Sequence, residues 1–360
     1  MGADVPGRPD LLSRPAGGQL PAIGRRPLAR PVGPCRPAGL LHALIGEFFM
    51  RIALQHDIPG LLEQLQGLDP VVEAFVVPGG DGPLQPFAAD VLLCTVRGGD
   101  LPALITACRG LRWVHVFGTG IDGFPLSLLA DDTVLTCSRG ATATPIAEWV
   151  LSTMLAREKQ LPERWLKEPP ASWYAADLGC LEDKTLGIVG FGAIGQAVAR
   201  RALAFDMQVV ATVRRYRESP MPGVRLVEQL DGLLPQADHL VLALPATPDS
   251  DGLINAQTLA ALKPGAHLVN VSRASLVDQG ALRTALDTGH LACASLDVVD
   301  PEPLPAGHWI YSHPGIRLSA HISWSGPNMT ERLLAPFIAN VQAFSRGEPL
   351  QGLVDKTAGY

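Results

Sequence analysis

Three side chains stand out for what they could do together: Arg273, Glu302 and His321. A guanidinium, a carboxylate and an imidazole suit one kind of reaction. Hydride addition to a ketone leaves negative charge on the carbonyl oxygen, which then needs a proton. An imidazole titrates near neutral pH and can deliver it. A carboxylate on its other nitrogen orients the ring and favours the protonated form. An arginine can grip a substrate carboxylate with two N–H donors and help polarise the neighbouring carbonyl. Singly, each has an ordinary alternative. Arg273 could be a solvated surface charge, Glu302 an exposed residue in a proline-flanked turn, and His321 a core histidine with satisfied hydrogen bonds.

Their placement argues for a shared task. Arg273 follows the apolar run His267–Val271, Glu302 follows Ala294–Val298, and His321 follows Arg317–Ser319. Each run reads as a strand of one parallel sheet, and ligands of such sheets bind beyond the carboxyl ends of the strands. At the same edge lies Gly190-Phe191-Gly192-Ala193-Ile194-Gly195, between the strand Leu186–Val189 and a helix entered at Gln196. Gly190 allows the tight turn, Gly192 lets backbone amides approach a pyrophosphate, and Gly195 lets the helix pack close to the strand. The helix N-terminus adds unpaired N–H groups and a positive dipole end. With a strand ahead, and a helix and the strand Met207–Val213 behind, the segment reads as a dinucleotide fingerprint rather than a tight turn of another α/β protein.

The residues after that second strand bear on which dinucleotide binds. An Asp or Glu there would hydrogen-bond the ribose 2′-OH of NAD. The chain has Val213-Arg214-Arg215-Tyr216-Arg217 instead. Two or three guanidinium groups would meet a 2′-phosphate, so the sequence predicts NADP(H) in preference, with NAD(H) possible. The alternative is an exposed basic turn with no selectivity. Leu244, Pro245, Thr247, Val271, Ser272 and Ser323 complete the expected cofactor contacts.

Other elements must hold these loops in place. From Met50 to about Ala147 strands and helices alternate. Arg51–Gln55, Ala74–Val77, Val91–Thr95, Trp113–Val116 and Val134–Cys137 read as strands, and Leu101–Cys108 as a helix. A long helix opens at Thr144-Pro145 and runs to about Arg157. The second unit runs from Thr185 to about Ile322, with strands Leu186–Val189, Gln208–Val213, His239–Ala243, His267–Val271, Ala294–Val298 and Arg317–Ser319. Met329 to about Phe344 reads as a closing amphipathic helix placed to return to the first domain. The expected fold is α/β: two Rossmann-like or flavodoxin-like parallel-sheet domains with a cleft between them. The substrate domain takes residues 50–147 plus about 325–350, and the dinucleotide-binding domain takes 148–324. Residues 1–49 hold eight Pro, eight Gly, six Arg and no Lys, and read as a disordered extension.

Bulk composition narrows the function further. The chain has 360 residues, 47% hydrophobic, with a formal net charge of −6, so it lacks the basic footprint of a nucleic-acid binder. No apolar run approaches the ~18 residues of a membrane helix. Six scattered cysteines, with no CxxC, argue against a metal site or disulfide framework and fit a cytoplasmic location. No tyrosine has a lysine four residues on, which excludes a short-chain dehydrogenase, and no GxxxxGK[ST] occurs.

The chain resembles the D-isomer-specific 2-hydroxyacid dehydrogenase family. The carrying segments are Leu186–Gly195, Leu262–Arg273, Leu276-Val277-Asp278, Leu296–Pro305 and the His321 loop, with weaker similarity at Ser138-Arg139-Gly140 and Pro145–Glu148. The resemblance implies Arg273 as substrate clamp, Glu302 as partner of the imidazole and His321 as general acid/base. It places Asp297 near the nicotinamide carboxamide and has the Val96-Arg97-Gly98-Gly99 turn offer amides to the substrate carboxylate. It also implies a homodimer and a small 2-oxoacid or D-2-hydroxyacid substrate of the glyoxylate or hydroxypyruvate type. Ala320 stands where the family usually has proline, which implies a less rigid loop, and Trp324 is placed either to wall the pocket or to pack between domains. The competing reading is a nucleotide-sensing co-repressor-like protein with little turnover.

Overall fold

The structure, a computed structural model, describes residues 50–68, 72–78 and 83–360. The reading of residues 1–49 as an extension lies outside the described residues. Two parallel sheets dominate. In chain order the first part contains β1 (Met50–Leu54), α1 (Leu61–Gln66), β2 (Val72–Val76), β3 (Phe87–Ala88), β4 (Val91–Cys94) and α2 (Leu101–Ala107). It continues with β5 (Cys108–Arg109), β6 (Trp113–Val116) and β7 (Val134–Cys137). Five of these strands form one sheet in the order β2-β1-β4-β6-β7, while β3 and β5 pair separately.

The helix α3 (Ala143–Glu158) carries the chain to the second sheet. That part contains β8 (Thr185–Val189), α4 (Ala193–Leu203), β9 (Gln208–Thr212), β10 (Val224–Val227), β11 (His239–Leu242) and α5 (Ala256–Ala260). It continues with β12 (Ala266–Asn270), α6 (Gln279–Asp287), β13 (Leu291–Leu296) and β14 (Ile316–Leu318). The order is β10-β9-β8-β11-β12-β13-β14, all parallel. The central strands β8, β11 and β12 are buried at every position. Strands covered on both faces need continuous apolar runs rather than alternation, which is why they were visible as such.

Packing explains the return of the chain. Helix α3 buries Ala143, Ile146, Ala147, Val150, Leu151 and Met154 against Ile188, Val198 and Val209 of the second sheet and α4. The closing helix α7 (Met329–Ser345) instead packs Leu334, Phe337 and Val341 against Met50, Ile52 and Trp113 of the first sheet. Trp113 and Phe337 are both fully buried, with ring centroids 5.5 Å apart.

A buried polar chain ties α3 to the amino-terminal edge of the second sheet, opposite the glycine turn. Glu158 takes a hydrogen bond from Lys184 Nζ at 2.6 Å and lies 3.3 Å from His239 Nε2. His239 Nδ1 meets His267 Nδ1 at 3.1 Å, and His267 Nε2 meets Ser295 Oγ at 2.9 Å. Burial alone would raise the Glu158 carboxyl, but the hydrogen bonds and charges of His239 and Lys184 overcome it and bring the pKa down to about 2. Burial, together with the nearby cationic groups, holds His267 well below the ordinary histidine value of 6.5.

Both shifts act in the same direction. A neutral buried histidine contributes stability that is complete above its unfolded pKa and is lost as pH falls below 6.5. Glu158 contributes stability that is complete above 4.5 and is lost as pH falls toward 2. The melting temperature should therefore decline on acidification in two stages, the first below pH 6.5 and the second below 4.5. Glu158→Gln should cost about 1–3 kcal/mol at neutral pH, by removing the acceptor of the half-buried Lys184, and should flatten the second stage. Calorimetry across pH checks both.

Candidate active site

The carboxyl ends of β12, β13 and β14 release the three loops of interest. After β12, Asn270 Nδ2 donates to Arg273 O at 2.8 Å and its Oδ1 accepts from Ser272 N at 3.0 Å, so one buried amide shapes the turn that presents Arg273. Arg273 Nη1 donates to Ser272 O at 2.7 Å, and Nη2 is paired with Asp122 from the first part of the chain. Gly120 makes room for this guanidinium, since a Cβ there would overlap Arg273 Nη2.

After β13 comes Glu302, and after β14 comes His321. Glu302 Oε2 lies 3.0 Å from His321 Nδ1. A carboxylate only accepts, so Nδ1 carries the proton and Nε2 is left for a ligand. Glu302 Oε1 also accepts from Val299 N at 3.3 Å, and Arg97 Nη1 stands 3.9 Å from Oε2. Arg97, Asp122, Arg273, Glu302 and His321 line a single cavity of about 520 Å³, with Phe117 and Trp324 among its walls. The structure thus brings together all three residues singled out for chemistry.

His321 sits in the left-handed backbone region, φ 55°. Such a conformation is uncommon for a non-glycine residue and persists only where its surroundings fix it. Asp297 does the fixing. It is 1% exposed, its Oδ1 accepts from Ser319 Oγ and from Ile322 N at 2.9 Å, and its Oδ2 accepts from Ser323 N at 2.9 Å. Trp324 Nε1 then donates to His321 O at 2.8 Å. The loop without proline is held by a buried carboxylate and an indole instead. Asp297, expected beside a cofactor, has its described hydrogen bonds in the loop.

The glycine turn fits a pyrophosphate. Gly190 has φ 97°, and a Cβ would come 2.6 Å from Ala243 O. At Gly195 a Cβ would overlap Gly190 O, so helix and strand approach too closely for any side chain. Gly192 faces open space, and no side chain among the described residues caps the N-terminus of α4. The cradle is therefore an uncapped helix end with room beside its amides, and Phe191, Ala193 and Ile194 complete it. Ser272 Oγ is bonded to Leu244 O, and Ser250 Oγ ties Thr247 N at 2.8 Å to Pro245 O at 3.1 Å, so the neighbouring loops are braced around it. Arg214 and Arg215 are exposed beyond Val213, and Arg217 Nη2 reaches Phe191 O at 3.5 Å.

Gly98 and Gly99 have φ of 90° and 92°, and Gln55 Nε2 donates to Gly98 O at 2.8 Å while its Oε1 accepts from Thr95 N at 2.7 Å. Gln55 therefore shapes the turn that carries Arg97. Sequence reading missed Gln55, Asp122 and Asn270 as site residues. Each acts through a partner distant in sequence or through backbone geometry, which leaves no local signal.

The chain has relatives among known proteins. The sequence profile described as "D-isomer specific 2-hydroxyacid dehydrogenase, NAD binding domain" matches residues 151–323. The chain is 31% identical over 272 residues to the glyoxylate/hydroxypyruvate reductase A of Serratia proteamaculans, covering 72% of this chain and 85% of that one. It is 29% identical over 279 residues to a glyoxylate reductase of Thermofilum pendens, covering 74% and 81%. Among solved structures it is similar to the NADPH-dependent glyoxylate/hydroxypyruvate reductase of Sinorhizobium meliloti in complex with NADP and sulfate. That match has a TM-score of 0.72 and 27% identity, and covers 86% of this chain and 100% of that one.

If Asp297 holds the His321 loop, Asp297→Ala should leave the Ile322 and Ser323 amides unpaired. The expected cost is about 2–3 kcal/mol in chemical denaturation. A crystal structure of the variant should show His321 released from φ 55°.

Proposed function

Because the chain belongs to the D-isomer-specific 2-hydroxyacid dehydrogenase family, we propose that its cleft reduces a small 2-oxoacid such as glyoxylate or hydroxypyruvate to the D-2-hydroxyacid, with NADPH as preferred donor. The protein is an oxidoreductase that uses a nicotinamide cofactor and acts on the CH–OH group of its donor. The observation that carries the finer reading is the 3.0 Å contact of His321 Nδ1 with Glu302 in the cavity that also holds Arg273. The bound nicotinamide would supply the hydride.

The protein's own residues would then do the rest. Arg273 would bind the substrate carboxylate, sharing its guanidinium with Asp122, and Arg97 with the Gly98 and Gly99 amides would close the other side. His321 Nε2 would hold the proton that the carbonyl oxygen takes up, while Glu302 steadies the charged ring from Nδ1. Phe117 and Trp324 would exclude water from the reacting atoms. In this reading residues 50–147 with about 325–350 bind substrate, and residues 148–324 bind the dinucleotide.

Two further features support finer points. Val213–Arg217 after β9 contain no acid, Arg214 and Arg215 are exposed where a 2′-phosphate would lie, and the similar enzyme from S. meliloti was solved with NADP. Between α3 and β8, Trp165, Leu166, Trp173 and Tyr174 are exposed together in one segment. Apolar surface of that kind favours burial against another chain, so the reading includes a homodimer. No described helix is long and apolar enough to cross a membrane, and a cytoplasmic site of action accompanies the reading.

Steady-state kinetics on glyoxylate and hydroxypyruvate with both cofactors tests the proposal. NADPH should give the higher kcat/KM, and an advantage for NADH would overturn the cofactor preference. His321→Ala should lower kcat by about 10²–10⁴-fold. Arg273→Ala should raise KM and lower kcat together, because it holds substrate in ground and transition states alike. Sedimentation should give twice the chain mass.

A further inference from the structure

Residues 351–360 take no part in the machinery above, yet they are bonded closely to the first sheet. Cys137 N donates to Gly352 O, and Val354 N to Leu135 O, each at 2.9 Å. Lys356 Nζ donates to the carbonyls of Ala130, Asp131 and Thr133 at 3.0, 2.7 and 3.0 Å. Asp355 Oδ1 accepts from Thr357 N and Ala358 N, each at 2.9 Å, and Asp355 N donates to Tyr360 O at 3.1 Å. The segment is a closed turn fastened to β7 and to the residues before it.

From this turn the half-buried Tyr360 reaches the second sheet. Its ring lies on Arg214, with the guanidinium carbon 5.1 Å from the ring centroid. Arg214 is otherwise an exposed side chain on the loop after β9. A guanidinium is flat and carries its N–H donors around its edge. With the ring on one side of the guanidinium, N–H donors on its other sides are available to an anion. An unsupported arginine loses considerable rotamer freedom when it binds. Stacking on an aromatic ring removes part of that freedom in advance.

We propose that Tyr360 is a positioning residue for the cofactor's 2′-phosphate, holding the Arg214 guanidinium with its N–H edge turned to that group. The inference rests on the NADPH reading given above. It makes the discrimination between the two nicotinamide cofactors a joint property of both sheets: Arg214 comes from the second, and the residue that steadies it is fastened to the first.

The test is the KM for NADPH and for NADH, measured on the full chain and on Tyr360→Ala, Tyr360→Leu, Tyr360→Phe and Arg214→Ala, with melting temperatures recorded alongside. Tyr360→Ala and Tyr360→Leu should raise the KM for NADPH about two- to five-fold, the range expected for losing an exposed cation–π contact. The KM for NADH and kcat should not move, and Tyr360→Phe should behave as the parent. The Leu variant keeps the bulk of the side chain, so it decides the matter if the Ala variant fails to fold. A KM for NADPH unchanged in both Ala and Leu variants, while Arg214→Ala raises it, would overturn the role of Tyr360 and leave the NADPH reading standing. An Arg214→Ala variant with unchanged KM for NADPH would overturn the inference, whereas the NADPH reading itself falls only if the parent chain gives the higher kcat/KM with NADH. An equal rise for both cofactors, or a fall in kcat, would mark the tail as structural support only and would also overturn the inference.

Discussion

Asp297 is buried at the end of β13, and its two carboxylate oxygens collect three donors from the loop that follows β14. An acceptor so placed must be matched, because a buried charge without partners is costly. Matching it forces the backbone of Ile322 and Ser323 inward and throws His321 into a left-handed conformation with its ring outward. Glu302, on the loop after β13, then meets Nδ1. The orientation of the imidazole is thus set by a carboxylate one position beyond the strand, and only secondarily by the glutamate that touches it.

The same edge of the sheet also serves the glycine turn and the loop that carries Arg273. A parallel sheet gathers its carboxyl ends on one side, so segments as far apart as Gly190 and His321 share a crevice without any long-range design in the connecting helices. The opposite edge carries a different kind of polar group. Glu158, His239, His267 and Ser295 are linked in the interior, at the edge opposite the glycine turn, and the shifted ionisation of Glu158 and His267 is a consequence of packing rather than chemistry. A strongly perturbed histidine is often a pointer to function. Here His267 and His115, the latter held down to about 3 by burial, are both structural.

Much of this was legible in the residues themselves. The strands β8, β11 and β12 carry mostly apolar residues without alternation because both faces are covered, and the glycines of the turn announce a backbone that no side chain fits. The position of Arg273, Glu302 and His321 followed from counting strands. What escaped was of another kind. The edge strand β10, Val224–Val227, has only alternating burial and carries an arginine, so its pattern is weak. Helix α1, six residues long, is too short for periodicity to show. Asp122, 151 residues from Arg273, and Gln55, 43 from Gly98, act across distances that no local pattern records. The Asp297 loop was read through its alanine in place of proline, whereas its rigidity comes from hydrogen bonds that sequence spacing does not display.

The order in which the chain leaves the ribosome bears on how these pieces come together. The second sheet is contiguous and can close its core as soon as β14 has emerged. The first sheet is made earlier but stays uncovered along Met50, Ile52 and Trp113 until α7 arrives with Phe337. Its apolar face must therefore wait through the synthesis of the entire nucleotide-binding half. Domains generally form as units during translation, and the first unit is complete only once α7 has been made, after the whole of the nucleotide-binding half.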